Sequence, residues 1–193
     1  MRRVWVQPGH RIEFPNESSE VLATRETTGD RYRVIGTTPP GGGPGIKGTG
    51  PHLHPGLIEI FRCVSGTMTV RVGNKLVEAS PGDVVEVPAG TVHGFVNSGK
   101  VPLVAEVDLV FTPPGPRTQA DLILFAVILD RLIRDGQVSK RTGLPPISQQ
   151  ALLLRRRFPE AMEQSGIGKL AMRPLAALGR PRRYPTEYPE CER

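Results

Sequence analysis

Three of the chain's four histidines, His52, His54 and His93, fall within one 42-residue stretch, and a carboxylate, Glu59, lies between them. In an extended chain the side-chain period is two, so His52 and His54 project to the same face. Glu59 comes five residues after His54, at the start of the run LIEIFRCV, where its same-face neighbours are Leu57, Phe61 and Cys63. A carboxylate among apolar neighbours is costly to bury unless a positive charge meets it. A divalent ion supplies that charge. His93 ends the turn sequence Pro88-Ala-Gly90-Thr-Val-His93 and opens a further apolar run with Phe95 and Asn97 on its face. Three neutral imidazoles and one carboxylate suit iron, manganese, cobalt, nickel, copper or zinc, and leave one or two positions for substrate or water. His52, His54, Glu59 and His93 are therefore expected to hold one divalent transition-metal ion. A lone HxH or a lone strand glutamate is a weak signal, whereas the combination at this spacing is a specific one.

These residues need strands to position them. From 57 to 112 the chain reads LIEIFRCV, TMTVRV, KLVEAS, DVVEVP, HGFVN and VPLVAEVDLVF, separated by SG, GN, SPG, AGT and NSGK. Alternation with turn signals at that spacing indicates an all-β sandwich or barrel. The phase puts Phe61, Cys63, Met68, Phe95, Asn97 and Leu109 on the side of the ligands, making them candidate pocket residues with Tyr32 beside them. The opposite phase carries Thr69, Arg71, Glu86, Glu106 and Asp108, which are expected to be solvated. Residues 1–35 alternate weakly and read as two or three short strands. Residues 36–51, with seven glycines and four prolines in sixteen positions, read as a loop.

The period changes at Thr118, the head of a capping-box pattern with Asp121. Leu122, Phe125, Ala126, Leu129, Leu132 and Ile133 then form one helical stripe closed by Gly136. A second helix is expected near 148–157 and a third between 160 and 178. Two regions follow: a β-barrel over 1–115 and a helical, basic extension over 116–193.

With the motifs in view, the chain resembles the cupin superfamily. That family's first motif, G-x5-HxH-x3,4-E-x6-G, is matched by His52, His54, Glu59 and Gly66, and its second, G-x5-PxG-x2-H-x3-N, by Gly82, Pro88, Gly90, His93 and Asn97. The one departure is Ile46, where the first motif expects glycine. The resemblance implies a jelly-roll barrel over about residues 20–112 with one metal ion near a mouth. It also suggests hairpin glycines of positive φ at Gly66, Gly82 and Gly90. The layout of a cupin followed by a helical, arginine-rich tail is similar to a group of bacterial cupins.

Charge is uneven. Residues 1–133 carry 13 Lys/Arg and 13 Asp/Glu, and residues 134–193 carry 12 and 6, so the net +6 resides in the extension. Such a segment most often forms a solvated face; contact with an anionic membrane is the weaker reading, and no nucleic-acid motif is present. Two cysteines, Cys63 and Cys191, make no disulfide framework. The N-terminus lacks a signal-peptide apolar core and the longest apolar run, 122–129, is too short to cross a bilayer, so a cytoplasmic location is expected. The apolar stripe and the open sheet edges suggest a homodimer.

No serine nucleophile elbow, phosphate-binding loop or separate acid/base pair accompanies the ligands. The expected activity is thus metal-centred: an oxygenase of dioxygenase type acting on a small apolar or enolisable substrate, with Glu59 also able to serve as base. A metal-dependent isomerase or cyclase is the alternative enzyme, and a non-enzymatic small-ligand-binding protein the alternative class.

Overall fold

A computed structural model of the chain describes residues 6–14, 17–43, 51–54, 56–112, 128, 130–139, 145–157, 174 and 177. The chain divides into two compact units, Gln7–Gly115 and a second made of Met1–Val6 with Pro116–Arg193.

The first unit is built from nine strands. They are β1 (Arg11–Phe14), β2 (Glu17–Ala23), β3 (Arg31–Thr38), β4 (Leu57–Ser65), β5 (Met68–Val72), β6 (Lys75–Ala79), β7 (Val84–Val87), β8 (His93–Asn97) and β9 (Leu103–Phe111). A one-turn helix, α1 (Arg25–Thr28), joins β2 to β3. The strands form a six-stranded sheet in the order β1-β2-β3-β9-β4-β7 and a three-stranded sheet in the order β6-β5-β8, antiparallel throughout. This is an all-β jelly-roll arrangement. Its core gathers Phe61, Cys63, Met68, Val70, Val85, Val87, Leu103 and Ala105, the inward phase of four strands. On β4 the burial alternates without a break from Leu57 to Cys63, as a strand with one face on the core requires.

The loop that opens at residue 39 is used to close the small sheet. The Gly41 amide donates to the Asn97 carbonyl and the Asn97 amide to the Gly42 carbonyl, each at 2.9 Å, so the start of the glycine-rich segment covers the free edge of β8. Further along β8, His52 pairs with His93 in both directions, at 3.0 and 2.7 Å. Pairing of this kind satisfies a sheet edge that would otherwise stay open.

Gly66, Gly82 and Gly90 have φ of +86°, +94° and +73°, all in the left-handed region. At Gly66 sterics add to conformation, because a Cβ there would lie 2.9 Å from Leu103 Cα and from the Pro102 carbonyl oxygen. Gly66→Ala should lose about 2 kcal/mol or more in denaturant unfolding, the left-handed penalty with a backbone clash added. Gly90→Ala, with nothing within 4 Å of its Cβ, should lose only about 1 kcal/mol. Equal losses would remove the steric part of this account.

Two sequence expectations are overturned here: residues 36–38, expected to begin a loop, continue β3 as far as Thr38, where they pair with β9, and one carboxylate is not solvated. Asp108, placed by its phase on the water side of β9, has a side chain with no solvent exposure. Arg33 donates to both its carboxylate oxygens at 2.6 and 3.0 Å, and Arg62 adds a third bond at 2.7 Å. Arg31 approaches to 3.7 Å. Strand phase predicted the face correctly. It could not predict that three long arginines on β3 and β4 would fold over the carboxylate and exclude water.

In the second unit, residues 130–134 are helical and Gly136 has φ of +68°, at the expected helix end. Ile128 and Leu132 are buried. A second helix, α2 (Ile147–Arg157), coincides with the expected 148–157 and buries Gln149, Ala151 and Leu152. Leu122, Phe125, Leu129, the Thr118 cap and most of the expected third helix lie outside the described residues. Among the described residues no helix is long and apolar enough to cross a membrane.

Candidate metal centre

The PxGxxH turn and the HxH segment are locked together by backbone. Thr91 donates to the Pro88 carbonyl at 3.1 Å, closing a tight turn whose positive φ falls on Gly90. The Gly90 amide then donates to the His54 carbonyl at 2.8 Å, and the two-way His52–His93 pairing completes the clamp. Two segments about forty residues apart in sequence are thereby held in register, and their imidazoles fall on the same side.

The three rings converge, with centroids 4.5 Å apart for His52–His93, 4.9 Å for His52–His54 and 5.3 Å for His54–His93. Glu59 enters from β4, where the register places it between Val87 of β7 and Leu109 of β9. Its oxygens lie 3.1 Å from His54 Nε2 and 3.3 Å from His93 Nε2. One nitrogen or oxygen from each of the four residues falls within 4.8 Å of every other, a group able to hold one metal ion. His54, Glu59 and His93 are buried and His52 is partly exposed.

The donor geometry fits an ion. His93 Nδ1 lies 2.8 Å from the Thr91 carbonyl oxygen. A carbonyl accepts only, so Nδ1 carries the proton and Nε2 presents a lone pair, the arrangement in which an outer hydrogen bond orients a metal-binding imidazole. Despite their short distances to Glu59, His54 Nε2 and His93 Nε2 make no hydrogen bond of acceptable geometry and are shielded from water. Buried ring nitrogens without such a bond are uncommon. Lone pairs aimed at a shared point account for both the closeness and the poor alignment.

Electrostatics agree. Burial pushes the Glu59 carboxyl up, but the facing His54 and His93 outweigh it and hold the group well below the usual carboxylate range. For His93, burial lowers the basicity of the ring, yet Glu59 and the Thr91 carbonyl more than reverse this and raise it. Glu59 is therefore ionised at neutral pH inside an apolar barrel, as a metal-binding carboxylate must be.

The expected pocket residues divide along the strands. Leu109 stands directly opposite Glu59, and the Phe61 ring lies 6.5 Å from His93 and 5.5 Å from Phe95. Cys63, Met68 and Asn97 face inward too, but each is four residues along its strand from Glu59, Val72 or His93, roughly 13 Å toward the other end. Asn97 is fully engaged there: its amide donates to the Thr38 and Val101 carbonyls at 2.9 and 2.8 Å, and its oxygen accepts from the Gly99 amide at 2.9 Å. It ties turns together. Cys63 packs in the core, where burial raises its thiol pKa and its Sγ lies 3.6 Å from the Gly66 carbonyl oxygen.

The sequence reading passed over the Thr91 carbonyl, for which a PxGxxH turn was the only available signal. Tyr32, expected beside the pocket, does stand at the ligand end of the barrel. It is opposite Leu109, in the same cross-strand row as Glu59, and its ring stands edge-on to Phe111 at 5.7 Å. Phe111 was not singled out by the sequence.

Comparison with known proteins adds four observations. Residues 36–112 match the model of the cupin domain. Quercetin 2,3-dioxygenase of Bacillus subtilis (strain 168) is 28% identical over 87 residues, covering 45% of this chain and 25% of that protein. Germin-like protein 1 of Brassica napus is 33% identical over 112 residues, covering 55% and 52%. The chain thus spans between a quarter and about half the length of these curated relatives. Among solved structures, that of TT1209 from Thermus thermophilus is similar with a TM-score of 0.46 and 22% identity, over 54% of this chain and 92% of that one.

Proposed function

The chain carries a cupin domain, and from that premise we propose that it is a metal-dependent oxygenase acting on a small apolar or enolisable substrate. The observation that carries this reading is the convergence of three imidazoles and one buried carboxylate within 4.8 Å. A bound redox-capable ion such as iron, manganese, nickel or copper supplies activation of dioxygen and polarisation of a substrate oxygen.

The chain's own groups do the remaining work. Thr91 and Gly90 keep the histidines aimed. Phe61, Phe95 and Leu109 exclude water near them and offer an apolar wall to a flat ligand. Glu59 is the one carboxylate whose oxygens face the histidines among the described residues, so it is also the group that would accept a proton from an enolisable substrate. The likeness to a dioxygenase over 87 residues favours oxygenation over isomerisation or cyclisation, which the same ligand set would also serve.

The test is oxygen uptake. Protein purified without a chelating tag, analysed for metal and restored to about one ion per chain, would be challenged with flavonols, catechols and β-diketones. Metal-dependent uptake in proportion to substrate consumed is expected. Oxygen-independent conversion would establish the isomerase or cyclase instead, and tight binding without chemistry under any metal would leave a binding protein.

A further inference from the structure

Arg25 occupies a fixed place beside the ligand end of the barrel. It begins α1, after the buried Thr24, and its carbonyl is held by the Gly29 amide at 2.7 Å as Gly29 turns left-handed into β3. Its guanidinium carbon stands 5.4 Å from the centre of the Phe111 ring. Phe111 is opposite Leu57, two residues before Glu59 on β4, and so shares the inward face with that carboxylate. Diagonal neighbours of this kind are roughly 7–8 Å apart. Tyr32, in the Glu59 row, meets the same Phe111 ring edge-on. Arginine, phenylalanine and tyrosine thus form a continuous aromatic and cationic wall next to the metal ligands.

Among the described residues the charge on this wall is unanswered. The nearby Asp30 is taken by Arg31, which donates to both its oxygens at 2.9 and 2.8 Å. Asp108 is on the opposite face of the sheet and is occupied by Arg33 and Arg62. Among the described residues Arg25 has no carboxylate within ion-pairing distance. A guanidinium lying over an aromatic ring is partly stripped of water, and it keeps its forked donors for a planar anion.

We propose that Arg25, seated on Phe111, is the anion-recognising residue of this site, and that the substrate is a flat oxygenated ring bearing a carboxylate. The inference rests on the reading of the metal centre above: the ring oxygens face the histidines and Glu59, and the carboxylate turns to Arg25. Phe111 and Tyr32 then flank the ring. A charge-assisted bidentate bond of this type supports a preference of roughly tenfold or more for the acid over its neutral parent.

The experiment compares catechol with 3,4-dihydroxybenzoate by calorimetric titration of the full chain reconstituted with Co²⁺. The unaltered protein should bind the acid at least about tenfold more tightly. Arg25→Gln should bring the acid-to-catechol ratio down to about one, and Arg25→Lys should restore part of it. Arg25 is overturned as the anion site if the acid-to-catechol ratio is the same in Arg25→Gln as in the unaltered protein, or if the two ligands never differ. The cobalt absorption spectrum tests the metal reading separately: if neither diol perturbs it, that reading fails, while the calorimetric ratio still decides Arg25.

Discussion

Protein carrying Glu59→Gln should leave purification nearly metal-free, at below about a tenth of an ion per chain, while the unaltered chain holds about one. The substitution keeps shape and removes charge. Outer-shell changes alone commonly weaken metal binding by about 10–100-fold, and loss of the single anionic ligand should do more. Glu59 is buried between Val87 and Leu109 and faces two imidazoles, so the barrel has no nearby carboxylate to take its place among the described residues. His54→Ala should behave in the same way. Both variants should fold, since backbone pairing rather than the ligands' side chains holds the turn to the HxH segment. Metal binding should itself stabilise: at free metal about a hundred times Kd the gain is about 2.7 kcal/mol, or roughly 5–10 °C in Tm for a chain of this size. A chelator should reverse that gain in the unaltered protein and leave Glu59→Gln unmoved. Elemental analysis and thermal unfolding read both effects. Full occupancy in a His52→Ala, His93→Ala double variant would show that the ion is held elsewhere.

The ligands were legible because their signal is local. His52 and His54 share a face by period alone, Glu59 is conspicuous among Leu57, Phe61 and Cys63, and His93 ends a turn whose proline and glycine announce it. Strand phase likewise separated buried Val70, Val85 and Ala105 from exposed Glu86. What remained hidden depends on register between strands distant in sequence. Met68 and Leu109 have the same inward phase, yet register puts one level with Asn97 and the other opposite Glu59. No periodicity carries that distinction. Helix α1 was missed because four residues cannot display a helical period. The Arg25–Phe111 contact joins residues 86 positions apart. The buried Asp108 belongs with these cases. Alternation assigns a face, and only the pairing β3-β9-β4 reveals that Arg33 and Arg62 close over it from both sides.

That closure makes Asp108 the carboxylate with the largest expected effect on stability. Asp108→Ala leaves Arg33 and Arg62 without a counter-ion on a sheet face where they were bonded at 2.6 and 2.7 Å. Removing one partner of a buried pair costs about 3–5 kcal/mol. The arginine side chains are 38% and 33% exposed and can turn to water, which places this case at the lower end, about 3 kcal/mol. The fall in Tm should be roughly 6–12 °C. Asp108→Asn, which keeps the shape and one acceptor oxygen but loses the charge and puts an NH2 where the other oxygen accepted, should fall between. The pH dependence has a definite sign. Burial pushes the Asp108 carboxyl up, but the bonds from Arg33 and Arg62 outweigh it and hold the group below its ordinary value. A group whose pKa is lower in the folded state binds fewer protons there than when unfolded. Its stabilisation is therefore complete above the unfolded value of about 3.9 and is lost as pH falls below it, through the folded value. The difference in unfolding free energy between Asp108→Ala and the unaltered protein should therefore be smaller at pH 3 than at pH 7. A gap that stays the same at both pH values would mean that packing, and not the ionised carboxylate, holds β3, β9 and β4 together.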